Sequence, residues 1–166
     1  IERTSGPLGC GLSHAAGMAY SLQYLGGNSE RFVYCSLGDG ELDEGNIWEA
    51  AMFAKKYNLS NLIAIVDRNN IQIGGDTEKV MPLGELADKW RSFGWDAQEI
   101  DGHNNSAIIQ AIKKAKNSRQ PSVIIAHTIP GRGVDFMEYD YRWHGKSPNA
   151  EEAERALAQL SEGGGE

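Results

Sequence analysis

Short apolar runs alternate with segments of helical periodicity along most of this chain, and that alternation predicts its elements. Residues 12–25 read as a helix rich in small side chains, closed by Gly26 and Gly27. Residues 32–37 form an apolar run suited to a buried strand. Residues 44–57 carry Ile47, Ala50, Ala51 and Ala54 at the spacing of one helix face. Residues 62–66 are apolar at every position, as a parallel strand covered on both faces would be. A loop rich in Gly, Asp and Pro follows, then a helix at 86–93, a strand at 97–100, an amphipathic helix at 107–116 and a strand at 123–126. After Pro130 comes a long loop of glycines, aromatics and charges, and such a length suggests function or a covering partner. A last helix, 150–160, takes Asn149 as its cap, and residues 161–166 read as a flexible tail.

Strands alternating with helices predict an α/β fold: an open, mostly parallel sheet with helices on both faces, wound by right-handed crossovers. No repeat or second domain interrupts residues 1–166, so one domain is expected. With 40% hydrophobic and 23% charged residues the chain reads as folded and globular. A net charge of −7 without a Lys/Arg stripe argues against nucleic acid as a partner. No apolar run is long enough for a bilayer and no signal pattern opens the chain, so no membrane association and a cytoplasmic location are expected. Cys10 and Cys35 sit in apolar stretches and read as small, reduced core residues.

In open α/β sheets, ligands collect outside the carboxyl ends of the strands. The residues expected there are Gly38-Asp39-Gly40, Asp67 to Asn70, Asp101 to Asn104, and His127-Thr128. Two glycines let backbone approach a bulky anion, and free amides can cradle phosphate oxygens. Asp39 between them would repel that anion unless a cation intervened, which points to magnesium. Alone, Gly-Asp-Gly reads as a tight turn. Asn69 alters the balance: it ends the next strand, with twenty-eight residues between it and Gly40, room for one crossover helix. Magnesium takes oxygen ligands, usually one or two from protein and the rest from phosphate and water.

Gly38-Asp39-Gly40 followed by Asn69-Asn70 resembles the signature of thiamine-diphosphate enzymes. Ser5-Gly6-Pro7-Leu8-Gly9, the stretch from Gly38 to Gly45, and Trp143-His144-Gly145 resemble transketolase, in the same order. The likeness is closest to the N-terminal, diphosphate-binding subunit of the split type. It implies the thiamine-diphosphate-binding fold and transfer of a two-carbon ketol unit between sugar phosphates, as in the pentose phosphate pathway. Asp39, Asn69 and the Ile71 carbonyl would hold Mg2+ (or Ca2+ or Mn2+). Gly38 and Gly40 would approach the diphosphate, Gly6 and Leu8 the cofactor's rings, and His144 both diphosphate and substrate.

Glu44 and Glu49 resemble acids that link the family's two active sites, and they stand with His144 as the catalytic candidates. On residues alone, Glu44 also fits an exposed acid near a helix start. Glu49, three and four residues before Met52 and Phe53, should be paired, protonated or turned to an interface. Residues such as Trp48 and Phe53 then suit an interface rather than a core. His144 also fits a loop histidine packed on Trp143. His103 and His127 read as lining or structural, His14 as a packing residue.

The family's activating glutamate comes from a pyrimidine-binding domain that does not follow here, and histidines expected before Gly6 are missing. A chain truncated at its N-terminus is therefore expected. It would be inactive without a C-terminal pyrimidine-binding subunit and would form a homo- or hetero-oligomer. The alternatives are deoxyxylulose phosphate synthase, a 2-oxo acid dehydrogenase type, and a cofactor- or partner-binding fragment without activity.

Overall fold

A computed structural model describes residues 3–4, 6–26 and 30–162. Ser5 of the first motif, Gly27 and the end of the tail at 163–166 lie outside the described residues. Helix α1 (Gly11–Tyr24) buries Leu12, Ala15, Ala16 and Ala19, small enough to bring the helix close to the sheet. It stops where Leu25 N–H reaches Ser21 O at 3.0 Å and Gly26 turns left-handed at φ 81°. Strand β1 (Val33–Gly38) runs into a 3-10 turn at Gly40–Asp43, and α2 (Gly45–Lys56) buries Ile47, Ala50, Ala51 and Ala54 as their spacing predicts.

Strand β2 (Leu62–Arg68) extends two residues past the expected run, into Asp67 and Arg68. The segment expected to be only a loop contains a small antiparallel hairpin, β3 (Ile71–Gln72) and β4 (Gly75–Asp76), and a single helical turn, α3 (Thr77–Val80). Its glycines hid the pattern from a periodicity reading. Then follow α4 (Leu86–Ser92), β5 (Asp96–Asp101), α5 (Asn105–Lys116), β6 (Ser122–His127) and α6 (Ala150–Glu162). Asn149 caps α6 as expected: its Oδ1 accepts from Glu152 N at 2.9 Å, and Glu152 accepts back from Asn149 N at 2.8 Å.

The main sheet has the order β1-β2-β6-β5, every pair parallel. Its register sets Gly38 opposite Asp67, and His127 opposite Arg68 on one side and Asp101 on the other. The polar residues expected at the rim therefore do stand side by side. Helices cover both faces, but unevenly. The larger core joins α1, α2 and α4 to the sheet around Leu12, Ile47, Leu62 and Trp90; on the other face Ile63 and Ile124 pack under Ala111 and Ala115 of α5.

Trp48 corrects one expectation. It packs inward, with ring centroids 5.1 Å from both Trp90 and Phe93, and its Nε1 donates to Leu42 O at 2.9 Å. Phe53 stays partly exposed among Tyr20 and Tyr57. Both cysteines are free. Burial, and secondarily the charge of Glu41, pushes the Cys35 thiol up to about 11, so it remains an unreactive core residue. No helix of the described residues is long and apolar enough to cross a membrane.

Candidate functional site

A carboxylate buried without partners is costly, so its hydrogen bonds report what the fold built around it. Asp39, just past β1, is 1% exposed. Its Oδ1 accepts from Gly40 N at 2.8 Å, capping the 3-10 turn, and from Thr77 Oγ1 at 3.4 Å. Its Oδ2 accepts from Asn70 N at 2.8 Å and from Arg68 Nη1 at 2.9 Å. One side chain thus ties the tip of β1 to the segment that leaves β2. Arg68, itself buried, reaches Glu78 with Nη2 at 2.5 Å. That bond, helped by Leu83 N–H, holds the Glu78 carboxyl below its ordinary value.

Asn69 Oδ1 accepts from Ile71 N at 3.0 Å, and its Nδ2 donates to Asp67 Oδ2 at 3.1 Å. Asp67 also accepts from the Thr128 hydroxyl. Asn69, Ile71 and Glu78 line a cleft of about 320 Å³ with Tyr139. Asp39 lies next to this segment through its bond to Asn70. A second cavity, about 480 Å³, has Asp67, Asn69 and His103 at the rim and Ile65, Ile112 and Ile124 below.

The remaining candidates sit around these clefts. Glu41, given no role of its own in the sequence reading, accepts from Gly9 N at 3.0 Å with Oε1 and from Gly38 N at 3.1 Å with Oε2. It clamps the Gly6 to Gly9 loop onto the end of β1. Gly9 is required there: its φ is 79°, and an added Cβ would come 2.7 Å from Glu44 Cβ. Glu41→Ala should cost about 1–2 kcal/mol, chiefly by leaving the buried Gly9 amide without its acceptor, since water can replace Glu41 at exposed Gly38. Urea denaturation would read this loss, and amide exchange at Gly9 should quicken; a variant unchanged in both would show that the clamp is idle.

Leu8 is 61% exposed, and Gly6, Glu44 and Glu49 are exposed too. Of the options for Glu49, pairing fails: it makes no ion pair among the described residues, and Met52 and Phe53 beside it are also exposed. His144 is exposed, directly after a 3-10 turn at Tyr141–Trp143 that packs against β4. The Trp143 ring takes Phe136 at 5.4 Å and the Lys146 ammonium at 3.9 Å. His103 Nε2 accepts from Ile129 N at 2.7 Å and His127 pairs with Glu99 at 2.9 Å, structural roles as expected. Half-buried His14 accepts from Arg3 Nε at 3.1 Å.

The local chemistry suits an anion carried by a cation. A Cβ at Gly40 would come 2.9 Å from Gln72 Oε1 and 3.0 Å from Gln72 Cβ, so glycine lets that side chain pack against the backbone. Gln72 Nε2 is buried there with no partner among the described residues, a spare donor for an anion's oxygen. No trio of His, Cys, Asp or Glu is placed to hold a metal among the described residues. The candidate set of one carboxylate, one amide oxygen and one backbone carbonyl instead suits a hard cation whose other ligands are phosphate and water.

The family described as "Transketolase, thiamine diphosphate binding domain" matches residues 1–161. The chain belongs to that family. It is 44% identical over 165 residues to the 6-deoxy-6-sulfo-D-fructose transketolase subunit SqwG of Clostridium sp. (strain MSTE9), covering 99% of this chain and 59% of that protein. Against an apulose-4-phosphate transketolase subunit of Phocaeicola vulgatus the identity is 42% over 163 residues, covering 98% and 57%. The transketolase of Campylobacter jejuni superposes with a TM-score of 0.89 at 34% identity, over 97% of this chain and 26% of that one. The chain thus spans under three-fifths of the two subunit relatives. Within this transketolase domain, Gln72 and Glu78 escaped the sequence reading, and Glu41 and Arg68 were given no role of their own. Only Glu41, one residue past Gly-Asp-Gly, had a motif to betray it.

Proposed function

We propose that this chain binds thiamine diphosphate through a divalent cation, magnesium first, as the diphosphate-holding part of a transketolase. The observation that carries this is Asp39: a buried carboxylate at one strand tip, hydrogen-bonded at 2.8 Å to the backbone leaving the next. Asp39, Asn69 through Oδ1 and Ile71 through its carbonyl would hold the cation. Asn69 Oδ1 now accepts from the Ile71 amide and keeps a second lone pair for the cation. Gly38 and Gly40 admit the diphosphate, and Gln72 offers its spare donor. Gly6 and Leu8, anchored by Glu41, face the cofactor's rings; exposed His144 is free to meet diphosphate and substrate.

The bound cofactor supplies the carbon nucleophile and electron sink for ketol transfer between sugar phosphates. The chain's own residues orient it and limit water around it. A second, pyrimidine-binding subunit completes the site, reached through the exposed face that carries Glu49, Met52 and Phe53, with Glu44 and Glu49 linking paired sites. The setting is the cytosol, and residues 1–166 act as one domain, with 161–166 as its tail. Two relatives are named as subunits for a sulfo-sugar and for apulose 4-phosphate, so a substrate panel should include modified sugars beside the ordinary sugar phosphates.

The test measures cofactor binding and ketol transfer with and without the pyrimidine-binding subunit. The chain alone should bind thiamine diphosphate in a magnesium-dependent way and show no turnover; turnover should appear on adding the partner. Robust ketol transfer by the chain alone would refute the partner requirement. Reaction only with 2-oxo acids, or with pyruvate and glyceraldehyde phosphate, would move it to another thiamine-diphosphate reaction.

A further inference from the structure

The cation-binding carboxylate proposed above is already occupied. Arg68 donates to Asp39 Oδ2 at 2.9 Å, and the two side chains are 9% and 1% exposed, so this is a desolvated ion pair. The other arm of the fork is held by Glu78, which is anchored in turn by Leu83 N. Two positive groups cannot share one buried carboxylate without strong repulsion, since low polarity magnifies their interaction. A dication arriving alone must displace or face the guanidinium. A dication arriving with a diphosphate brings enough negative charge to offset both.

We infer that Arg68 is a positioning residue that occupies Asp39 as a built-in counterion, so that the divalent cation and the diphosphate bind as a unit rather than in succession. Glu78 retains the guanidinium when Asp39 lets go, so the arginine is not left unpaired. The inference rests on the proposed metal reading of Asp39. It adds that metal and diphosphate affinities are coupled through one arginine.

The test is Mn2+ binding to the full chain, followed by electron paramagnetic resonance, alone and with saturating thiamine diphosphate. The wild type should bind Mn2+ weakly alone and at least about ten-fold more tightly with the cofactor, the scale of losing and regaining one charge-assisted bond. Arg68→Met should bind Mn2+ alone roughly ten-fold more tightly and lose most of that coupling. Glu78→Gln, at a half-exposed position, removes the negative charge that draws the guanidinium away from Asp39. It should weaken binding of Mn2+ by itself and enlarge the coupling, which keeps the test decisive if Arg68→Met does not fold. Unchanged affinity and coupling in both variants, with Mn2+ binding abolished by Asp39→Asn, would overturn the role of Arg68 and leave the metal reading standing. Mn2+ binding untouched by Asp39→Asn would overturn both.

Discussion

Asp39→Asn should lower the affinity for thiamine diphosphate in saturating magnesium by roughly 100-fold or more. The amide has almost the shape of the carboxylate but no charge to give a hard cation. Its NH2 group would also meet donors, since Arg68, Asn70 N and Gly40 N all point at this side chain. The same change leaves a buried guanidinium with only Glu78, and breaking a desolvated pair in this way costs about 3–5 kcal/mol. Two measurements separate the effects: calorimetric titration of the cofactor with magnesium or with chelator, and urea denaturation of the free chain. The affinity loss should vanish in chelator, whereas the stability loss should persist. Wild-type affinity in magnesium would remove Asp39 from the metal site.

Trp90→Ala should destabilise the domain by about 3–5 kcal/mol, the range for deleting a large buried aromatic. Trp90 is fully buried at the centre of the larger core, with Trp48 at 5.1 Å and Trp95 at 4.9 Å. Those neighbours are rings held by their own bonds, Trp48 to Leu42 O and Trp95 to Ala51 O, so they cannot collapse into the space. Trp90 Nε1 has no partner among the described residues. Trp90→Phe removes that unsatisfied donor and most of the packing survives, so its cost should stay below about 2 kcal/mol. Chemical denaturation of the two variants checks the contrast. Equal losses would mean that the ring is replaceable bulk.

These two sites differ in how far the chain announces them. The core of α2 was legible because Ile47, Ala50, Ala51 and Ala54 repeat at the helical period and all are buried. The cap of α6 was legible because Asn149 and Glu152 stand at the spacing of a reciprocal hydrogen-bonded pair. The hairpin at Ile71–Asp76 was not, because two-residue strands among glycines leave no period to read. Trp48 was expected at an interface and lies in the core, since an aromatic on a helix looks the same toward a core as toward a partner.

The amino-acid order by itself determined which segments form strands and, to within two residues, where they end, and hence that Asp39, Asn69 and their neighbours gather at one rim, because apolar runs and helical periods mark the elements and parallel strands share a direction. Only the tertiary structure decided what those side chains do there. Parallel register sets Gly38 beside Asp67, which brings Arg68 onto a carboxylate 29 positions earlier, and the packing of the loop before α1 on the end of β1 lets Glu41 grip Gly9, 32 positions before it. Along the chain each is an ordinary charged residue at a strand or helix end. Burial, which no local pattern encodes for a polar group, turns them into fixed partners.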